Sequence, residues 1–183
     1  MAKPSPPVLG LATERRGAET WWSLLSRGDR VRGRIAKPSK AGRHPVIILA
    51  GPDGCASSPF AEAATAAWSA RAAVVAFDLP LCGSRKSDKL TALALDPNLP
   101  LAKRLRAELE AQVAADLTQV LALIATDPDL DPARVTFAGV ALGAELARTA
   151  ASNPHPFHQV ALAPSADPGA SWLREVLDRA ARA

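Results

Sequence analysis

The stretch VTFAGVALGAELA, residues 135–147, decides the fold. In it, a run of strand-forming residues passes through small residues directly into a helical pattern, with Gly139 and Gly143 on either side of the change. Because two backbone segments approach closely only where side chains are small, these glycines predict a tight strand-to-helix turn. The residue in the middle of the turn is Ala141.

The rest of the chain alternates between strand and helix patterns. Continuous apolar runs without polar alternation predict buried strands at 45–51, 72–80, 134–139 and 157–164. Helical patterns occupy 60–71, 101–126, 139–152 and 169–183, and an aromatic hairpin at 20–38 precedes all of them. The order predicts an α/β fold, with a doubly wound, mostly parallel sheet of about six strands and helices on both faces.

Length and composition indicate one domain. We expect residues 1–18 to be a flexible, proline-containing segment and residues 19–183 to form the domain. No stretch reads as a signal peptide or a membrane span, so we expect a cytoplasmic protein without a membrane partner. The first 50 residues hold ten Lys or Arg against three Asp or Glu. We interpret this charge as protection of an edge hairpin against edge-to-edge pairing, rather than as a nucleic-acid surface.

The turn at 135–147 resembles the nucleophile elbow of the α/β hydrolases, G-x-S-x-G between a strand and a helix. Two other segments agree with this resemblance: PVIILAGPDG (45–54) looks like the third strand and oxyanion loop of that fold, and FDLPLCGSR (77–85) is similar to the FD-x-PGHG-x-S motif after the fourth strand. The likeness covers about residues 20–167 and is to the dienelactone-hydrolase and prolyl-oligopeptidase-like branch. It implies a hydrolase acting on esters or related acyl bonds.

The sequence departs from that family where the chemistry should be. The resemblance implies a serine nucleophile at position 141, and the alanine found there has no hydroxyl to activate. The oxyanion donor would fall on Pro52, which lacks an N–H, or, with a shift of one residue, on Asp53. An ordinary hydrolase whose serine had been replaced by alanine would show the first departure as well.

The base and the acid are also in doubt. In the family, the base histidine follows the last strand, whereas His44, His155 and His158 are expected at the opposite rim of the sheet. Asp167 matches an alternative acid position of the family, but an acid without its histidine has nothing to orient, so we interpret it as a turn residue in SADPG.

The loops after the two central strands are expected to face each other around a vestigial pocket. Its predicted members are Gly51, Pro52, Asp53, Cys55, Leu81, Cys82 and Leu142. A cysteine redox pair, a metal site and Cys82 as a replacement nucleophile are alternatives, but two thiols without a nearby histidine or a C-x-x-C spacing do not favour a metal. We therefore expect no metal and no cofactor.

The leading hypothesis is a catalytically silent hydrolase-like module that binds a small molecule or a protein partner. The family has two further strands after the one at 157–164, so the sheet edge there is expected to be open. A second copy or a companion subunit would cover it. The alternatives are a serine hydrolase altered at position 141, a hydrolase with a non-standard nucleophile, and nucleic-acid binding through the basic N-terminal third.

Overall fold

The computed structural model describes residues 7–55, 59–96, 98–152, 157–164 and 168–181. The strands in these ranges are β1 (Ala12–Arg16), β2 (Glu19–Ser26), β3 (Asp29–Ala36), β4 (His44–Ala50), β5 (Ala73–Phe77), β6 (Leu130–Val140) and β7 (Gln159–Ala163). The helices are α1 (Pro59–Trp68), α2 (Asp88–Leu95), α3 (Pro100–Thr126), α4 (Leu142–Ser152) and α5 (Gly169–Ala181), with a 3₁₀ turn at Gly83–Arg85.

All seven strands belong to one sheet, in the order β1-β2-β3-β5-β4-β6-β7. Strands β5, β4, β6 and β7 are parallel, whereas β1, β2 and β3 add antiparallel pairings on one side. The predicted α/β class is confirmed. The sheet has seven strands rather than about six, because residues 12–16, within the segment expected to be flexible, pair with β2.

The parallel strands are buried because helices cover both faces of the sheet. Along β4, Ile48 packs into a core with α3, while its neighbours Ile47 and Leu49 pack into a second core with α1 and α5. Successive side chains of a strand point to opposite faces, so a strand between two cores needs apolar residues at every position. This explains the continuous apolar runs in the sequence.

Helix α3 is the longest element, with 27 residues. An 18-residue window of it has a mean hydropathy of 1.2, so by length and composition it could cross a membrane, contrary to the sequence expectation that no stretch would be apolar enough. In the fold, its side chains Val113, Leu117, Val120 and Ile124 pack into the larger core against the sheet. The helix thus has the position of a core helix.

Two features near the surface differ from the sequence interpretation. The β2–β3 hairpin is not at the sheet edge, because β1 pairs with β2 and takes that place. Residues 81–100, expected to be an irregular surface segment, contain the 3₁₀ turn and α2. The Ser87 side chain caps the first turn of α2 by accepting from the Leu90 N–H at 3.4 Å.

Strand β7 is the last strand in the sheet order. Pairing of its outer edge with another chain stays a prediction.

The packing of Trp22 on Gly33 gives a test of this arrangement. A Cβ at Gly33 would overlap the Trp22 ring across the β2–β3 pair, so we expect Gly33→Ala to lower the free energy of unfolding, toward the upper end of about 1–3 kcal/mol. Urea denaturation measures the change. The control is Gly17→Ala, which meets nothing within 4 Å and carries only the left-handed backbone penalty of roughly 1–2 kcal/mol. An equal or larger loss in the control would contradict the packing.

Candidate functional site

The turn between β6 and α4 has the predicted tight geometry, with Ala141 at its apex in the left-handed region at φ 47°. The Ala141 N–H donates to the Ala163 carbonyl at 2.9 Å, and the Ala141 carbonyl accepts from Glu145 at 3.1 Å. A left-handed backbone costs a non-glycine residue roughly 1–2 kcal/mol, so the surrounding structure holds this turn in place.

The glycines beside Ala141 are required by close backbone contacts. A Cβ at Gly143 would overlap the Ala50 carbonyl at the end of β4, and one at Gly139 would lie 3.0 Å from the Ala144 Cα. The helix α4 therefore starts directly against the neighbouring strand. This is the geometric role that the sequence predicted for both glycines.

The loops after β4 and β5 face each other, as predicted, and the carboxylate of Asp78 joins them. Asp78 is only 1% exposed. Its Oδ1 accepts from the Cys55 N–H at 2.7 Å, and its Oδ2 accepts from the Ser84 N–H at 3.0 Å and from the Ser84 hydroxyl. A direct backbone bond, from Gly83 N–H to the Pro52 carbonyl at 3.0 Å, closes the junction. Asp78 thus has a structural role and does not line the pocket.

Two glycines make room for this carboxylate. Gly54 and Gly83 have φ values of +62° and +56°, and a Cβ on either would overlap Oδ1 of Asp78. Any other residue would meet both backbone strain and a clash at these positions. The two loops can therefore adopt this junction only with glycine on each side.

A buried ion-pair network, which the sequence analysis missed, continues from the junction. Arg85 lies 2.5 Å from the carboxylate of Asp116, which has no exposed surface, and 2.6 Å from that of Asp29. Its guanidinium also donates to the Asp78 carbonyl at 3.0 Å, and Gln112 donates to Asp116 at 2.7 Å. The network ties the 3₁₀ turn to α3 and to the β2–β3 turn. Arg85, Asp29 and Asp116 lie far apart in the sequence, so no motif or spacing indicated that they would pair.

The two cysteines lie in different cores. Cys55 packs with α1 on one face of the sheet, and Cys82 packs with α3 on the other. Burial, and then the negative charge of Asp78, raise the pKa of each thiol to about 12. Both are therefore neutral thiols near pH 7, which disfavours Cys82 as a nucleophile and the two as a redox pair. Within the described residues, no group of three or more His, Cys, Asp or Glu could hold a metal ion.

A cavity of about 250 Å³ lies beside the turn, between α2, α3 and α4. Its lining consists of Leu81, Ala94, Leu95, Arg106, Leu109, Glu110, Leu142, Glu145, Leu146 and Arg148. Leu142 follows Ala141 directly, so the cavity starts one residue from the apex of the turn. Of the predicted pocket residues, Leu81 and Leu142 line this cavity, whereas Asp53, Cys55 and Cys82 do not.

Leu81 has an unusual backbone for its residue type. Its φ is 63°, in the region that favours glycine, while its side chain is 5% exposed. The motif that FDLPLCGSR resembles has glycine at this position. A leucine where that motif has glycine was the available sequence signal for a side chain that projects into the site.

The remaining predicted residues form no catalytic group with Ala141 within the part of the chain that the structure describes. Gly51 lies next to the turn, since a Cβ on it would be 3.0 Å from Cγ2 of Val140. His44 contacts the Lys40 carbonyl at 2.8 Å, and the His158 N–H donates to the Val135 carbonyl, both at the amino edge of the parallel strands and away from Ala141. Asp167 and His155 lie outside the described residues.

Several solved structures with a similar fold are esterases or hydrolases. A cold-adapted esterase from an Arctic intertidal metagenomic library matches with 19% identity and a TM-score of 0.59, over 86% of this chain and 65% of that one. Acetyl xylan esterase 1 from Thermoanaerobacterium sp. JW/SL YS485 matches with 17% identity and a TM-score of 0.55, over 83% and 51%. The α/β hydrolase GrgF from Penicillium sp. sh18 matches with 12% identity and a TM-score of 0.56, over 79% and 45%.

This chain has an α/β-hydrolase-like fold. It spans between about half and two thirds of the length of those solved chains. No protein-family model matches the sequence, and no curated protein matches it. At these identities the similarity establishes the fold alone, because function resides in the site.

The structural role of Asp78 predicts a large effect of removing its charge. We expect Asp78→Asn to lower the free energy of unfolding by about 2–4 kcal/mol, because an amide nitrogen would then face a backbone donor in a buried site. Urea denaturation at pH 7 measures the loss. Asp88→Asn, at an exposed carboxylate 3.3 Å from Lys86, is the control and should change stability by less than about 0.5 kcal/mol. Equal effects of the two substitutions would refute the role assigned to Asp78.

The raised thiol pKa values predict slow labelling. A pKa of about 12 leaves roughly one thiol in ten thousand ionised at pH 8. We expect Cys55 and Cys82 of the native protein to react with Ellman's reagent about a thousandfold more slowly than free glutathione, and both to react promptly in denaturant. Fast labelling of either cysteine in the native protein would show an accessible thiolate.

Proposed function

We propose that this chain is a hydrolase-like module that binds a small molecule in the cavity beside Ala141 and does not hydrolyse esters at that position. The observation that carries the proposal is the pairing of an intact turn with an alanine at its apex, next to a cavity lined by Leu81 and Leu142. The cavity has six apolar and four charged lining residues, a combination that can hold the apolar part of a small molecule and orient its polar groups. The turn provides no group that can attack an acyl carbon.

The surroundings of Ala141 support the proposal. A serine at this position would need a base within hydrogen-bond reach, and the described histidines lie at the other edge of the sheet. Pro52 provides no N–H for an oxyanion, and its carbonyl is already bonded to Gly83. The cavity itself is lined by ion-paired arginines and glutamates, such as Arg106 and Glu145 at 3.4 Å.

One observation favours a second candidate, a serine esterase altered at position 141. The left-handed backbone at Ala141, with a φ of 47°, is the geometry in which a nucleophile elbow holds its serine, and a serine at this position would keep that geometry. This candidate needs a base from outside the described residues. It makes the opposite prediction for a restored serine.

Restoring the hydroxyl separates the two candidates. We expect Ala141→Ser to hydrolyse p-nitrophenyl acetate no faster than buffer at pH 8, because a serine without a base stays protonated. The absorbance of released nitrophenolate measures the rate. The matched control is Ala144→Ser, three residues further along α4, which sets the background for an added hydroxyl. Turnover that appears in Ala141→Ser and not in the control would replace the proposed function by the esterase.

A further inference from the structure

Leu81 stands between two cavities. The cavity of about 250 Å³ beside Ala141 lies on one side of it, and a second, of about 340 Å³, lies on the other side, toward the β2–β3 turn. Leu81 and Leu109 are the residues that line both. The wall that separates the cavities is therefore made of two leucine side chains, one from the loop after β5 and one from α3.

The charged groups around both cavities balance. The lining of the first contains Arg106, Arg148, Glu110 and Glu145, and that of the second contains Arg27, Arg85, Asp29 and Glu108. Several of these groups pair with one another, at 3.4 Å for Arg106 with Glu145, 3.5 Å for Arg27 with Glu108 and 2.6 Å for Arg85 with Asp29. A charged ligand would have to compete with these pairs, whereas an uncharged one would not.

Apolar side chains line the cavities on both sides of this wall. Leu142 and Leu146 from α4 and Leu95 from α2 line the first cavity, and Leu90 from α2 lines the second. Leu90 and Leu95 are 42% and 46% exposed, although large apolar side chains gain free energy when they leave water. Each cavity thus offers leucine side chains to an apolar ligand, and Leu81 lies between them.

We propose that Leu81 determines specificity by setting the length of an uncharged, largely apolar chain that the site accepts. The inference rests on the proposed function, that the cavity beside Ala141 binds a small molecule. With Leu81 in place, a ligand ends at the leucine wall. Without it, the same ligand can extend into the second cavity.

The backbone at Leu81 makes the decisive variant practical. Its φ of 63° is a conformation that glycine adopts freely, so Leu81→Gly removes the side chain from the wall without adding backbone strain. Leu109→Ala opens the same wall from α3, with the loop unchanged. The control is Leu101→Ala, because Leu101 is 57% exposed and lines neither cavity.

The experiment measures affinity for straight-chain primary alcohols from butanol to dodecanol by isothermal titration calorimetry, with the full chain and its variants. Each methylene that enters the cavity should tighten binding about fourfold until the chain reaches Leu81, after which the affinity levels off. In Leu81→Gly the rise should continue, giving about fifteenfold tighter binding than the parent two carbons beyond the parent's limit. Leu109→Ala should also extend the rise, and Leu101→Ala should follow the parent.

The outcomes separate the two proposals. If the parent binds the alcohols but Leu81→Gly and Leu109→Ala level off at the same length as the parent, the role of Leu81 is refuted and the proposed function stands. If neither the parent nor any variant binds an alcohol of any length, the proposed function itself fails. If Leu81→Gly does not fold, Leu109→Ala alone decides, because it opens the same wall.

Discussion

The carboxylate of Asp78 is the constraint on which the site depends. A carboxyl group that is 1% exposed is costly to bury unless donors surround it, and here the donors come from both loops that it joins. Meeting that requirement fixes glycine at 54 and 83 and draws the chain into the sharp turn that carries Leu81 and Cys82. Arg85 follows at once and reaches the buried Asp116. This carboxylate therefore positions Leu81, the part of the cavity lining that comes from the loop after β5.

The turn at Ala141 shows that the geometry of an elbow is independent of its chemistry. Gly139 and Gly143 are required by contacts with Ala144 and with the end of β4, and neither contact involves the side chain at position 141. The folding requirement is met whether that residue carries a hydroxyl or a methyl group. An intact turn in a sequence is thus strong support for the fold and none for turnover.

The parts of the fold that could be predicted are those with many residues in one repeating environment. The strands between two cores have continuous apolar runs, and the 27-residue helix α3 has an apolar residue every three or four positions. These patterns are clear in the sequence because the residues on one face of an element share the same kind of environment. β1 gave no such pattern, since its five residues are all exposed. The eight-residue α2 lies in a segment broken by prolines, and its cap at Ser87 was the available signal.

The site was harder to predict because position along the chain does not say which face a side chain reaches. Cys55 and Cys82 both follow buried strands, and the sequence placed them together, yet they enter opposite cores. The φ of a residue is equally invisible in a sequence, except where a motif with glycine carries another residue, as at Leu81.

Leu81 and Ala141 are the positions at which the two turns of the site differ from the hydrolase motifs that they resemble, and at both positions the residue found is compatible with the backbone of its turn. A leucine in place of a glycine at φ 63° adds roughly 1–2 kcal/mol of backbone strain. Burying its side chain contributes about 1.5–3 kcal/mol, which offsets that strain. Alanine at the apex leaves the hydrogen bonds of the turn intact. Both residues are therefore compatible with the fold. Leu81 reduces the space beside the turn, and Ala141 supplies no reactive group. The proposed binding role is based on this combination, in which the packing of the turn is intact and the residue at its apex supplies no nucleophile.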